Sequence, residues 1–323
     1  MQEHSHFTPL TRKMSNWEVA QILAESYRKY GLDTTMKGYD EKKRRVNDAV
    51  KWVDSAKEYP EAKLELCNSR KAAIKHLKLW LLDQECINYP TEGTENFIHG
   101  NFFDNEIPDN YAHIIECDPP YGVKLNTMDR PRRLFGMRNY LEVTEEDYPD
   151  FISRLLRECY RIGKEDSWLI LWHSEQHYST VVEKLNEAGY VIGYNRGIWV
   201  KPSNFCYTTN PATRLGCNYE MFFYARKGKP YINRMGRPDV FTYKGVPHVQ
   251  VVRHPTERPI ELIEDILTTF AREGSMVVCP FGGSGNTLLA ARRSNMASVG
   301  YEIIEEYINR YRYKYQEEVK NNG

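Results

Sequence analysis

Met276-Val277-Val278-Cys279-Pro280-Phe281-Gly282-Gly283-Ser284-Gly285-Asn286-Thr287-Leu288-Leu289-Ala290-Ala291 reads as a strand, a glycine-rich turn and a helix. Glycines permit positive φ and a close approach of backbone to a ligand. The helix that follows offers unpaired N–H groups at its start. Ala297-Ser298-Val299-Gly300-Tyr301-Glu302 then reads as a second strand ending in an acid. Glu302 lies seventeen residues after Gly285, close to where dinucleotide-binding folds carry the acid that holds ribose hydroxyls. The turn lacks Gly-Lys-Thr or Gly-Lys-Ser, which argues against a nucleotide-triphosphate loop.

Far upstream, the apolar run Ala112-His113-Ile114-Ile115 leads through Glu116 and Cys117 to Asp118-Pro119-Pro120-Tyr121. Two consecutive prolines cannot extend a strand, so the chain turns just past its end. The turn displays one carboxylate, one stiff carbonyl and one aromatic ring at a single point. Such a set suits a planar amine held by two acceptors and stacked on one face.

From Asn96 onward strands and helices alternate. Strands are read at Phe97 to Gly100, Tyr111 to Glu116, Ser167 to Trp172, Tyr190 to Val200, Tyr219 to Ala225, Met276 to Cys279 and Ser298 to Tyr301. Helices are read at Asp147 to Tyr160, Ser179 to Ala188 and Ile260 to Phe270. This pattern predicts an α/β fold, a doubly wound and mostly parallel sheet with helices on both faces. Ligands of such sheets sit beyond the strand C-termini, where both motifs fall. Residues 15 to 95 read instead as helices, with Ser15 or Asn16 capping one that begins near Trp17. Asp40 to Trp52 is charged and weakly amphipathic. Ser69 to Leu82 carries Ala73, Ile74, Leu77, Leu81 and Leu82 at helical spacing.

The two motifs, in this order, resemble those of the S-adenosylmethionine-dependent DNA amino-methyltransferases of the beta group, in which Asp-Pro-Pro-Tyr precedes Phe-x-Gly-x-Gly. The resemblance covers roughly Asn96 to Tyr315. It includes His254-Pro255-Thr256-Glu257-Arg258-Pro259, which matches the family's His-Pro-Thr-x-Lys-Pro segment. It implies a Rossmann-like methyltransferase domain over 96–323 and says nothing about the helical N-terminal region read over 1–95. A target-recognition region would be inserted at about 202–252, after Trp199-Val200-Lys201. The implied cofactor is S-adenosylmethionine, with no metal. Cys279, Pro280, Phe281, Gly283, Ser284, Gly285, Asn286 and Thr287 would contact it, with Phe281, Gly283 and Gly285 as its floor, and Glu302 would bind its ribose. His254, Thr256 and Arg258 would lie at its methionine end, the last two at the carboxylate.

The implied reaction is site-specific methylation of adenine N6 in double-stranded DNA. Asp118 with Pro-Pro-Tyr, rather than Ser-Pro-Pro, leans toward adenine over cytosine N4. The target base must be flipped out of the duplex before a methyl donor can reach it. Asp118 and the Pro119 carbonyl would each accept an N6–H bond, Pro120 would stiffen the turn, and Tyr121 would stack on the base. Cytosine-N4 methylation on the same fold is the nearest alternative. A DNA-binding protein that has lost catalysis is another, because the family usually has Asp where this chain has Cys279. A thiol there removes an acceptor near the cofactor's amino group, so Cys279→Asp is expected to tighten cofactor binding.

The 44 basic and 44 acidic residues cancel, yet they are unevenly spread. Arg196 to Arg258 holds eleven Lys or Arg against three acids, and Lys124 to Arg138 holds five against Asp129. Phosphate contacts need such bases. Lys124, Arg132, Arg133, Lys201, Arg214, Arg234, Arg237 and Lys244 are the candidates for contact with DNA. Lys42-Lys43-Arg44-Arg45 reads as a solvated helix face. Seven cysteines, with no Cys-x-x-Cys pair, argue against a zinc site and for reduced thiols. Without a long apolar run or a signal-peptide core, the reading is of a cytoplasmic or nucleoid-associated protein, neither secreted nor membrane-bound. A homodimer is compatible with it.

Overall fold

The computed structural model describes residues 14–39, 41–122, 143–202, 212–213, 215–246 and 257–322. The chain divides between Glu85 and Cys86 into two compact units. The division falls ten residues before the change of pattern at Asn96.

The first unit is helical, with α1 (Asn16–Tyr30), α2 (Leu32–Tyr39), α3 (Lys43–Glu58) and most of α4 (Arg70–Ile87). Ser15 opens α1 through a reciprocal capping box with Glu18. Leu23, Ala24, Val46, Trp52 and Leu64 are buried, and the Trp52 indole N–H donates to the Leu64 carbonyl at 3.0 Å. Arg44 is almost wholly exposed, as a solvated face requires.

The second unit is an eight-stranded sheet among the described residues, with strands β1 (Phe97–His99), β2 (Ala112–Cys117), β3 (Gly163–Trp172), β4 (Gly197–Val200), β5 (Tyr219–Lys227), β6 (Val240–Thr242), β7 (Met276–Cys279) and β8 (Ala297–Glu302). Their order is β1-β8-β7-β2-β3-β5-β4-β6. Every neighbouring pair is parallel except those made by β5, which runs against β3 and β4. The helices of this unit are α5 (Tyr148–Ile162), α6 (Tyr178–Glu187), α7 (Ile260–Phe270), α8 (Asn286–Arg293) and α9 (Glu305–Asn322).

Alternation along the strands assigns the two faces. Ile115, Cys117, Leu169 and Leu171 pack with Ile152, Leu155 and Leu156 of α5 and Val181 and Leu185 of α6. Ile114, Ile170 and Trp172 pack with Leu262, Ile266 and Leu267 of α7 and Ala290 and Ala291 of α8. Helices therefore cover both faces, as the alternating pattern predicts. The order changes direction between β7 and β2, so the ends of those two strands border one crevice.

Three elements differ from the sequence reading. The strand read over Tyr190 to Val200 is four residues long, because Gly193 and Asn195 interrupt it. Before it, Val191 makes an isolated bridge to Arg226. Between 202 and 252, where the sequence reading named no individual strand, β6 forms as three residues that pair with β4. The chain also continues past Glu302 into α9, where tyrosines interleaved with charges hide the helical period.

β4 begins level with the end of β3, since Phe222 of β5 pairs with both Trp172 and Gly197. The three strands β5, β4 and β6 thus build a wall above the sheet's C-terminal edge. Gly197 is where this wall is tightest. A Cβ there would come within 2.0 Å of the Phe222 ring, itself packed on Trp172 at 4.8 Å and Phe241 at 5.5 Å. Gly197→Ala is expected to destabilise the protein by about 1–3 kcal/mol, the usual cost of overpacking. A denaturant midpoint equal to wild type would show that the wall repacks freely.

Candidate active site

β2 stops where its prolines begin, so Asp118-Pro119-Pro120-Tyr121 stands at the sheet's C-terminal edge. One strand away, β7 runs into the glycine-rich turn. Gly285 there has φ +74°, and a side chain on it would meet the Tyr311 ring at 2.2 Å. Only glycine meets both conditions. The two turns and the end of β8 border one cleft. Glu116, Asp118, Arg258, Phe281, Gly283, Ser284 and Glu302 are among the residues that line it.

Glu302 is held by backbone alone. Its carboxylate accepts the Gly283 N–H at 2.8 Å and the Ile304 N–H at 2.9 Å. Burial nonetheless raises its pKa above the ordinary value. A second hollow adjoins it, lined by Asn101, Phe102, Phe103, Phe151, Phe281 and Ile303.

Asp118 is not free. Tyr121 donates its hydroxyl to Oδ1 at 2.6 Å, and Arg258 forms an ion pair with Oδ2. Arg258 also donates to the Tyr121 hydroxyl at 2.8 Å and to Glu220 at 3.0 Å. Its guanidinium lies over the Trp172 ring, 3.9 Å from the centroid, and is nearly buried. The reading that Arg258 serves a ligand carboxylate must therefore accommodate Asp118 as its present partner. Burial works to raise the Glu220 carboxyl, but Arg258 and Lys201 outweigh it and hold the carboxyl below its ordinary value.

Cys279 does not leave the site short of a carboxylate. Glu116, 2% exposed, lies against it, with Sγ–H donating to Oε2 at 3.6 Å. Thr287 donates to the same oxygen at 2.8 Å, and the Trp172 indole to Oε1 at 2.7 Å. Asn286 lines the cleft but is spent on structure. Its amide donates to Glu257 at 2.9 Å and to the Arg258 carbonyl at 2.7 Å, and its oxygen accepts from Lys314 at 2.8 Å. Pro280 and Phe281 border the hollow beside Glu302. His254 and Thr256 lie outside the described residues.

Of the bases read as DNA contacts, Lys124, Arg132, Arg133 and Arg214 also lie outside the described residues. Lys201 pairs with Glu220 and sits 4.4 Å from the Trp199 ring centroid. Arg234 and Arg237 both pair with Asp265, and Arg237 stacks over Phe241 at 3.5 Å. These three are anchored in ion pairs rather than projecting freely, whereas Lys244 is exposed.

Glu116, Glu220, Glu257 and Lys314 were not singled out by sequence reasoning. Glu116 did carry a signal, since a carboxylate in an apolar strand must find partners. Among the described residues no helix is long and apolar enough to cross a membrane, and no His, Cys, Asp and Glu group could hold a metal ion.

A family model described as DNA methylase, covering the N6 and N4 enzymes, matches residues 112–312. The chain is 27% identical over 203 residues to a putative methylase, YubD, of Escherichia coli (strain K12). That match covers 62% of this chain and 80% of the relative. Among solved structures, an M1.HpyAVI–SAM complex is similar with a TM-score of 0.51 at 18% identity, covering 68% of this chain and 98% of that one. The cytosine-N4-specific PvuII DNA methyltransferase has a TM-score of 0.54 at 16% identity, over 67% of this chain and 85% of its own. At these identities the two structures speak for the fold.

Lys314 joins the segments around the cleft. From α9 it reaches Glu257 at 2.5 Å, Asn286 at 2.8 Å and the Ser284 carbonyl at 3.0 Å. Lys314→Met would take the Lys314 ammonium from the Glu257 carboxylate, which is 5% exposed. Breaking such a buried pair costs about 3–5 kcal/mol. A thermal melt should record the loss. A variant as stable as wild type would mean that Asn286 and the other partners of Glu257 hold it without Lys314.

Proposed function

Because the chain belongs to the N6/N4 DNA methylases, enzymes that move a methyl group from S-adenosylmethionine to an exocyclic amine of a DNA base, we propose that its acceptor is adenine N6. The observation that carries this is Asp118, a carboxylate beside a stiff Pro-Pro carbonyl, lining the same cleft as Glu302.

The cleft suits the cofactor. Glu302 retains lone pairs for two ribose hydroxyls while it holds Gly283 and Ile304. The aromatic hollow beside it, with Phe102, Phe103 and Phe281, offers a dry surface for a purine. When bound, S-adenosylmethionine supplies a methyl group already activated on a sulfonium. The protein's own contribution is positioning and electrostatics.

Adenine N6 is a poor nucleophile because its lone pair is delocalised into the ring. Asp118 and the Pro119 carbonyl, each accepting one N6–H, would turn that lone pair toward the methyl. Asp118 would then stabilise the positive charge that grows on N6. Tyr121 has its hydroxyl tied to Asp118 and Arg258, which fixes its ring for stacking on the flipped base. Asp118→Ala is expected to abolish transfer while S-adenosylmethionine affinity stays near wild type. Labelled methyl should reach adenine-containing duplexes and not adenine-free ones. Label in an adenine-free duplex, or turnover by Asp118→Ala within tenfold of wild type, would sink the assignment.

DNA would be read by the region between 202 and 252. Arg234 and Arg237 share Asp265, which is expected to keep one of them and release at most the other to a phosphate. Replacing both with Ala should therefore flatten the log–log salt dependence of duplex binding by no more than about one unit, at roughly 0.9 per phosphate. It should also lower stability by about 1–3 kcal/mol, because Asp265 loses both cations. A salt titration beside a denaturant melt checks both. A slope change near two units would mean that both arginines leave Asp265 for phosphate.

A further inference from the structure

Glu116 is the carboxylate that the proposed chemistry does not use. Register pairs Ile114 with Val277 and Ile115 with Val278, which sets Glu116 directly beside Cys279 on the neighbouring strand. Both oxygens accept hydrogen bonds, but from neutral donors, namely Trp172, Thr287 and Cys279. Arg258 is near enough to lower the Glu116 pKa, yet its own bonds go to Asp118, Tyr121 and Glu220. A buried carboxylate without a bonded cation is costly, and burial pushes this one's pKa upward. That cost was not removed by an apolar residue, and Glu116 lines the cleft instead of being sealed from it.

An α-amino acid carries its ammonium and its carboxylate on one carbon. A wall that offers a carboxylate and a guanidinium side by side is complementary to that pair. We infer that Glu116 is the acceptor for the α-ammonium of the cofactor's methionine, standing on β2 in the role that a carboxylate at position 279 of β7 would fill. This rests on the reading of the cleft as the S-adenosylmethionine site. It also reverses the expectation for Cys279→Asp, since a second carboxylate would be buried against the first.

Calorimetry with three probes tests it: S-adenosylmethionine, S-adenosylhomocysteine and 5′-methylthioadenosine, which lacks the amino-acid end. Glu116→Gln should weaken the first two alike, by roughly tenfold to a hundredfold, as loss of a charged hydrogen bond implies. It should leave the third within about twofold, which also shows that the variant is folded. Cys279→Asp alone should weaken the first two as well. The double variant Glu116→Gln/Cys279→Asp should recover most of the wild-type affinity, because one carboxylate is again present.

Weakening of S-adenosylmethionine but not of S-adenosylhomocysteine would assign Glu116 to the sulfonium and overturn the inference. So would unchanged binding by Glu116→Gln, or a double variant weaker than either single one. Wild-type protein that binds none of the three probes would remove the reading on which the inference rests.

Discussion

One guanidinium organises the floor of this site. Among the described residues lining the cleft, Arg258 is the cation, and carboxylates reach it from separate parts of the chain. Asp118 comes from the turn after β2 and Glu220 from β5, while Glu116 stands close by on β2. Buried like charges repel strongly at low dielectric, so these strands can meet only with a fixed positive charge between them. A lysine would give that charge, but not the planar fork that addresses Asp118, Tyr121 and Glu220 while lying flat on Trp172. The antiparallel β5 matters for the same reason. Its reversed direction brings its first residues to the edge where the parallel strands end.

A second polar junction braces the opposite side of the glycine-rich turn. Lys314, Glu257 and Asn286 tie α9, the segment before α7 and the start of α8 to one another. Asn286 is suited to this junction. Its two-ended amide both donates and accepts at one point, which a threonine hydroxyl cannot do for so many partners. The cleft is thus flanked by two clusters of buried charge, and its shape depends on both.

Much of this was legible in the sequence. The prolines after β2, the glycines after β7 and the acid ending β8 are local signals, and each stands for a backbone event that needs few neighbours. From them came the sheet, its C-terminal edge and the convergence of the two turns. Partnerships were not legible. Arg258 reads as one base in a basic segment, and nothing local says that Asp118, 140 residues away, is its partner. Arg234 and Arg237 count as two positive charges in a sequence tally, yet Asp265 of α7 absorbs one. Cys279 looked like a loss because the compensating carboxylate belongs to another strand. Short β6 and tyrosine-rich α9 lack the periodicity that marks an element, and they form because the surfaces they cover are already there.

The saturation of Asp118 bears on what the protein ignores. Cells are full of small amines and loose nucleobases, and an unoccupied carboxylate beside a dry cleft would trap them. Here both oxygens are taken, one by a phenol and one by a guanidinium. A newcomer must displace a partner already in position, and a fragment with nothing else to hold it cannot cover that cost. A base delivered on a polymer can, because contacts along the strand contribute free energy far from the amine. Selectivity against fragments then comes from the partnerships that Asp118 already has, a device that needs no steric barrier.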